Sequence, residues 1–203
     1  MINPRQRGFT LIELLVVIAI VAVLAVTVIL VLNPSELLKQ ARDSTRLSDM
    51  AALKHAVTLY LTERTLSDSG GYNGVVVASL SAEEMFANPN SCDGVVSRFA
   101  TAAPGNCSSV LARFLTRIDG NGWLWLNFLS LSAGSPVSAL PVDPVNKYNG
   151  DRYYAGFYGN DLSANYFEFN ARLESTKYAA RAANDGGDRP DLYEVGNDPG
   201  LDL

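Results

Sequence analysis

Few side chains in this sequence are of the types and spacings that catalysis requires. Its 203 residues include one histidine, His55, and two cysteines, Cys92 and Cys107. That inventory is too small for a cysteine–histidine metal centre, and no Ser/His/Asp or Cys/His spacing indicates a nucleophilic site. The sequence therefore predicts a protein that is not an enzyme, with no catalytic residues.

The residue that most needs a chemical explanation is Glu13, which lies at the start of a long apolar segment. Every residue from 14 to 32 except Thr27 is apolar. As an α-helix this segment would span roughly 28 Å, close to the ~30 Å hydrocarbon core of a bilayer. A carboxylate in such a segment is costly unless it reaches the interface or finds a partner. We therefore predict a membrane-spanning helix, with Glu13 either specifically paired or simply extended to water.

The charges that flank the apolar segment predict its orientation. Arg5 and Arg7 precede it, whereas the residues that follow it are of mixed sign, namely Glu36, Lys39, Arg42 and Asp43. Basic residues favour the cytoplasmic side of a membrane. We therefore expect a single-pass protein of the plasma (inner) membrane, with its N-terminus in the cytoplasm and the rest of the chain outside.

The order of residues just before the apolar segment carries a resemblance. Gly8 follows a short basic leader and is itself followed by Phe9, Thr10, Leu11, Ile12 and Glu13. This order resembles the type IV prepilin family, which includes the pseudopilins of type II secretion. The resemblance implies cleavage between Gly8 and Phe9, N-methylation of Phe9, and retention of the helix as an anchor and then as a filament core.

The resemblance also implies partners. They are a prepilin peptidase/N-methyltransferase, other pilin or pseudopilin subunits, and an inner-membrane assembly platform, with a periplasmic or extracellular filament as the final location. Type IV pili, type II secretion and competence systems all remain open as the filament system, as does a major or a minor role for this subunit.

The proposed cleavage gives Glu13 a partner on physical grounds. Cutting before Phe9 creates an α-amino cation one helical turn before the carboxylate. In a stack of identical helices, Glu13 of one subunit would meet the Phe9 amine of a neighbour. This contact would neutralise both groups and set the axial register of the stack.

The remainder of the chain predicts an α+β fold. We expect a long N-terminal α-helix, with a membrane-spanning half and then an amphipathic half, packed on a small antiparallel β-sheet head. Pro34 predicts either a kink or the first turn of a separate helix capped by Asn33. Strands are expected near 75–80 and 123–129, with a buried helix as the alternative for 123–129. The segments 153–158 and 165–173 predict an antiparallel hairpin, and residues 192–195 are compatible with an edge strand. The predicted organisation is a leader at 1–8, a transmembrane and assembly helix at 9–33, an amphipathic helix at 34–62, a globular head at 63–184 and an acidic Gly/Asp-rich segment at 185–203.

Charge and cysteine usage suggest two further sites in the head. Oxygen ligands on a Gly-rich loop suit Ca²⁺, so Asp185, Asp188 and Asp191 are candidate calcium ligands, with an ordinary solvated tail as the alternative and no other cofactor expected. A bridge between Cys92 and Cys107 would contribute roughly 3 kcal/mol, with two free thiols as the alternative.

The overall charge limits the classes of partner. The net charge is −5, from 16 basic and 21 acidic residues. Removal of Arg5 and Arg7 with the leader leaves 14 basic residues and a net charge of −7. An acidic head argues against nucleic acid as a primary partner.

These observations lead to one main functional hypothesis and one alternative. The main hypothesis is a structural subunit, a pilin or pseudopilin, that assembles into a type IV pilus-like filament. The alternative is a membrane-tethered minor pilin whose head binds a ligand as its main activity. In that alternative, exposed aromatic residues such as Tyr72, Tyr148 and Tyr158 would provide the binding surface.

Overall fold

The computed structural model describes residues 8–66, 76–80, 116–159 and 165–203. The chain divides into two compact units, Met1–Lys39 and Gln40–Leu203. The helices are α1 (Leu11–Leu32), α2 (Pro34–Glu63) and α3 (Thr176–Ala182), with a 3₁₀ turn at Phe128–Ser130. The strands are β1 (Val76–Ala78), β2 (Ala155–Tyr158), β3 (Phe167–Ala171) and β4 (Tyr193–Gly196).

The long N-terminal helical region is interrupted at Asn33. This residue adopts a left-handed conformation, with φ 41° and ψ 74°, and ends α1. Its carbonyl oxygen accepts hydrogen bonds from the backbone N–H groups of Glu36 and Leu37. Pro34 is the first residue of α2, a position where the missing N–H costs no helical hydrogen bond. The separate-helix alternative for Pro34 is therefore the one that the structure contains.

Helix α1 has the length and composition of a membrane span. Among the described residues, one helix meets both criteria, through the stretch Leu11–Ile29 with a mean hydropathy of 3.1. Its large apolar side chains are exposed, for example Leu15 at 55% and Val23 at 65%. A helix that is apolar all round needs a lipid or protein environment to cover it.

The four strands form one antiparallel sheet in the order β1-β2-β3-β4. The register pairs Val77 with Gly156, Gly156 with Phe169, and Phe169 with Val195. The sequence prediction of an antiparallel hairpin before residue 173, with a further strand near the C-terminus as a sheet edge, is confirmed.

The core of the head lies between α2 and one face of the sheet. Met50, Leu53, Val57 and Tyr60 recur at helical spacing on α2 and are buried. They belong to the same buried cluster as the side chains of Phe167, Phe169 and Ala171 on β3. Because alternate strand residues point to opposite faces, the intervening residues of β3 lie on the face away from this core. The predicted α+β fold, with an amphipathic helix on a small antiparallel sheet, is confirmed.

The predicted strand near 123–129 is wrong. Trp123, Leu124 and Leu126 are fully buried there, yet the backbone makes only an isolated bridge between Asp119 and Asn127 and then enters the 3₁₀ turn. Burial alone does not distinguish this segment from a strand, because β2 and β3 are also buried at every position. The Trp123 indole donates to the carbonyl oxygen of Pro141 at 2.9 Å, so a contact with a distant loop holds this segment in place of a sheet ladder.

Candidate assembly site at the N-terminus

Glu13 closes a capping box at the first turn of α1. Thr10 is the N-cap, and its side-chain oxygen accepts from the Glu13 backbone N–H at 3.3 Å. In return, Oε2 of Glu13 accepts from the Thr10 backbone N–H at 2.8 Å and from the Thr10 hydroxyl at 2.7 Å. This reciprocal arrangement satisfies the backbone N–H groups of Thr10 and Glu13, which a helix start otherwise leaves open, and the Thr10 hydroxyl. It also places the carboxylate at the N-terminal end of the helix, where negative charge is favoured.

The second carboxylate oxygen of Glu13 is not used by the cap. Both contacts from Thr10 go to Oε2, and no described residue donates a hydrogen bond to Oε1. Gly8 and Phe9, the residues on either side of the predicted cut, are exposed immediately before the N-cap, and Phe9 is 84% exposed. Among the described residues, one oxygen of Glu13 is thus left without a donor at an exposed helix start.

Comparison with known protein families gives a match in this region. The family described as the prokaryotic N-terminal methylation motif matches residues 3–29. The chain carries a type IV prepilin-like N-terminus. No curated protein and no solved structure matches the chain.

The match has general consequences for a chain with this N-terminus. The motif implies processing by a prepilin peptidase and assembly with other pilin subunits. The family that carries it comprises structural subunits, and the exposed apolar α1 is consistent with a membrane-anchored protein.

In the head of the chain, two of the three candidate calcium ligands, Asp185 and Asp191, are held by other groups, and Asp188 is exposed. The two oxygens of Asp185 accept from the backbone N–H groups of Gly187 and Glu194, at 3.0 and 2.8 Å. Asp191 is ion-paired with Arg172 and Arg189 at 3.1 Å each. Within the described ranges, no group of three His, Cys, Asp or Glu side chains is placed to hold a metal ion. The contacts of these aspartates do not support a calcium site. Calcium binding therefore stays a prediction.

The cysteine prediction concerns another part of the chain. Cys92 and Cys107 lie outside the described residues, so the Cys92–Cys107 bridge also stays a prediction.

Two buried glutamates on the outer face of the sheet were missed from the sequence. Glu168 and Glu194 are each 1% exposed. Oε2 of Glu168 accepts from the Leu203 backbone N–H, and Oε2 of Glu194 accepts from that of Arg189, both at 3.0 Å. Burial raises the pKa of Glu168 to about 7 and that of Glu194 to about 8. The signal in the sequence was their alternation with apolar neighbours, which indicates a side chain on the second face but not that a C-terminal segment covers it.

These raised pKa values predict that the head becomes less stable as pH rises. The unfolded chain loses both protons near the ordinary glutamate pKa of about 4.5, whereas the folded chain keeps them to higher pH, so stability falls between about pH 4.5 and about pH 8. In Glu168→Gln one of these titrations is absent. We expect its free energy of unfolding at about pH 8 to exceed that of the wild type by about 1–3 kcal/mol, and its pH slope to be smaller. Denaturant titrations across this range measure both quantities.

The matched control for that experiment is Glu63→Gln on α2. The Glu63 carboxylate is exposed, and hydrogen bonds from Ser132 lower its pKa, so it does not titrate in this window. Its pH slope should equal that of the wild type. An unchanged slope in Glu168→Gln would contradict the role of the buried acids.

A buried ionic cluster around Arg46 was also missed. The guanidinium is fully buried and donates to Asp143 at 2.6 and 3.0 Å, to Asp43 at 2.8 Å and to Glu174 at 2.6 Å. Arg42 adds two hydrogen bonds to Glu174, at 3.0 and 2.7 Å. Burial alone would raise the pKa of Glu174, but the hydrogen bonds from Arg42 and Arg46 lower it to about 2. The cluster links α2 to the segments that contain Asp143 and Glu174, which are distant from it in sequence.

Two of the three tyrosines that were expected to form an exposed ligand-binding surface are buried in the head. Tyr148 is 8% exposed and Tyr158 is 3% exposed, so neither offers its ring to a ligand. The Tyr148 ring stacks on Tyr153 at 6.1 Å between ring centres. Tyr72 lies outside the described residues. For Tyr148 and Tyr158 the prediction of exposure is wrong, because both pack into hydrophobic clusters of the head.

Proposed function

We propose that this protein is a structural subunit, a pilin or pseudopilin, of a type IV pilus-like filament. The prepilin-like motif at residues 3–29, with the arrangement of Thr10 and Glu13 at the start of α1, is the observation that carries the proposal. The leader at residues 1–8 is removed by a prepilin peptidase between Gly8 and Phe9. The same enzyme N-methylates Phe9.

In the proposed assembly, Glu13 meets the Phe9 amine of a neighbouring subunit. The capping box supports this because it fixes the position of the carboxylate while using only Oε2. An ammonium donor would find Oε1 open at an exposed helix start. A charge-assisted hydrogen bond of this kind is shorter and stronger than a neutral one. Apolar packing of α1 supplies attraction between helices without selecting an axial position, whereas a charge pair selects one.

The membrane and the filament are two environments for the same helix. Before assembly, α1 lies in the plasma (inner) membrane, with the chain start in the cytoplasm and the head outside. The capping box lowers the cost of storing Glu13 there, because its carboxylate accepts two hydrogen bonds at the helix start. An inner-membrane assembly platform then transfers the subunit into a filament, where other α1 helices cover its apolar surface.

Mass spectrometry of the mature protein tests the processing step. We expect the N-terminal peptide to begin at Phe9 and to carry one methyl group, because the residues on both sides of the cut are accessible. Gly8→Trp should accumulate as the unprocessed chain in the membrane fraction, while Thr27→Ala, well inside α1, serves as the processed control. An intact Met1 in protein recovered from filaments would refute the proposal.

A further inference from the structure

The turn that precedes β2 presents an asparagine–glycine pair to solvent. The Asp151 N–H donates to the Tyr148 carbonyl oxygen at 3.2 Å, so Asn149 and Gly150 are the two central residues of this turn. Both of them are exposed. Gly150 has φ 87°, close to the value that a type II turn has at its third residue. The turn therefore favours glycine at the position immediately after Asn149.

Neither reactive group of this pair is held by the described part of the chain. No described residue accepts a hydrogen bond from the Gly150 N–H or bonds to the Asn149 side-chain amide. A side chain added at Gly150 would have Cγ of Arg152, at 3.9 Å, as its nearest neighbour outside the adjacent residues. The peptide plane between Asn149 and Gly150 therefore has room to rotate. Such a rotation brings the Gly150 nitrogen against Cγ of Asn149.

A second asparagine–glycine pair in the head has the opposite surroundings. Asn121 is exposed, but its backbone N–H donates to Oδ1 of Asp119 at 3.2 Å. Gly122 is buried, and a side chain added there would collide with the carbonyl oxygen of Arg117 and with Cδ1 of Leu140. This packing encloses the backbone and opposes the same rotation. The two pairs thus have identical residues and different freedom to react.

We propose that Asn149 is a site of spontaneous deamidation and isomerisation, whereas the fold protects Asn121. Solvent hydroxide removes the amide proton of Gly150, and the nitrogen attacks Cγ of Asn149. The Cγ–Nδ2 bond breaks, and the leaving nitrogen takes a proton from water and departs as ammonia. Water then opens the succinimide ring at either of its two carbonyl groups, so the products are aspartate and isoaspartate.

Both products change the surface of the head. Each converted chain gains one negative charge near Asp151, a carboxylate that is ion-paired with Arg172 at 3.4 Å. Isoaspartate also adds a methylene group to the main chain of the turn. The ends of this turn are held by two backbone hydrogen bonds between Lys147 and Arg152, at 2.8 and 3.1 Å. The protein therefore becomes more acidic with age, and the isoaspartate form carries a distorted turn before β2.

Peptide mapping of the full chain, aged in detergent micelles in a mildly alkaline buffer of isotopically labelled water, tests this site. Trypsin cuts after Lys147 and Arg152, so digestion in ordinary water places the two asparagine–glycine pairs in separate peptides. We expect peptide 148–152 to acquire one labelled oxygen and to elute as two products of equal mass. Conversion at Asn149 should be at least about tenfold faster than at Asn121, because the packing around Gly122 raises the barrier to ring closure.

The same chain aged in denaturant is the matched control, because both pairs then lose the folded backbone. We expect the ratio of the two rates to fall towards one. Asn149→Gln, aged in the folded state, should leave peptide 148–152 unlabelled over the same period, since its longer side chain cannot close the five-membered ring.

Three results would contradict the proposal. They are no conversion at Asn149 in the folded chain, equal rates at Asn121 and Asn149 in the folded chain, and a rate ratio that denaturant leaves unchanged. The last result would show that the local sequence, and not the fold, selects the reactive asparagine. None of these outcomes bears on processing or filament assembly.

Discussion

Replacing Arg46 by methionine is expected to lower the free energy of unfolding of the head by about 3–5 kcal/mol, because it leaves buried carboxylates without their cation. Asp43 is 0% exposed and Asp143 is 3% exposed, so water cannot solvate either charge in the folded state. Methionine approximates the length of the aliphatic stem, so little of the loss arises from a cavity. Denaturant unfolding of the full chain, followed by the fluorescence of buried Trp123, measures the change.

An exposed ion pair provides the control for this experiment. Arg117 is paired with Asp119 on the surface of the same head. Exposed pairs typically contribute about 0–1 kcal/mol, so Arg117→Met should change stability by no more than that. If Arg46→Met and Arg117→Met had equal effects, the Arg46 cluster would have no special role in the fold.

The pH dependence gives a second, independent signature. The folded-state pKa of Glu174 is lowered to about 2, so its stabilising contribution is present above its ordinary pKa of about 4.5 and is lost as pH falls towards 2. In Arg46→Met, Glu174 loses one of the donors that lower its pKa. We therefore expect the variant to lose less stability than the wild type between about pH 4.5 and about pH 2. Parallel curves for the two proteins would argue that the destabilisation has a different origin.

Local patterns in the sequence were enough to predict strands β1 to β4 and the face of α2 that packs on the sheet, but not α3 or the 3₁₀ turn. Met50, Leu53 and Val57 repeat at helical spacing, and Phe167 and Phe169 alternate as a strand requires. These patterns depend on neighbours in the chain, so they can be recognised without the fold. Burial of Trp123 was likewise foreseeable, but its irregular backbone was not, because Pro141 provides its hydrogen-bond partner from another segment.

The parts that could not be predicted depend on contacts between distant residues. Arg46 and Asp143 are 97 positions apart, and Arg46 and Glu174 are 128 apart. In the sequence, Arg46 is one of several charged residues on a helix, and solvent exposure is the ordinary expectation for it. Glu168 and Glu194 were missed for the same reason, since only the covering C-terminal segment makes them buried. At the N-terminus, by contrast, Thr10 and Glu13 are three residues apart, so the whole candidate assembly site is local in sequence.

A series of substitutions at Glu13 and Thr10 separates the two roles that the structure gives to this carboxylate. Glu13→Gln keeps an amide oxygen that can accept from the Thr10 N–H, so the cap on α1 remains while the charge is lost. Thr10→Val does the reverse, since it removes the hydroxyl from the cap at a cost of about 1 kcal/mol and leaves the carboxylate ionised. If the charge pairs with a neighbouring Phe9 amine, Glu13→Gln should lose filaments and Thr10→Val should retain them.

The expected effect of the charge is large because it acts at every contact of a polymer. Loss of a charge-assisted hydrogen bond costs about 1.5–3 kcal/mol, or roughly tenfold to a hundredfold in each association step. We therefore expect the sedimentable filament fraction of Glu13→Gln to fall to background, with Phe9 still exposed at the mature N-terminus and the subunit still in the membrane fraction. Normal filaments from Glu13→Gln would refute the pairing even if processing were intact. If Thr10→Val alone lost filaments, the role of Glu13 would instead be to cap α1. A register that is set by charge requires the Glu13 carboxylate, but it does not require the Thr10 hydroxyl that hydrogen-bonds to it.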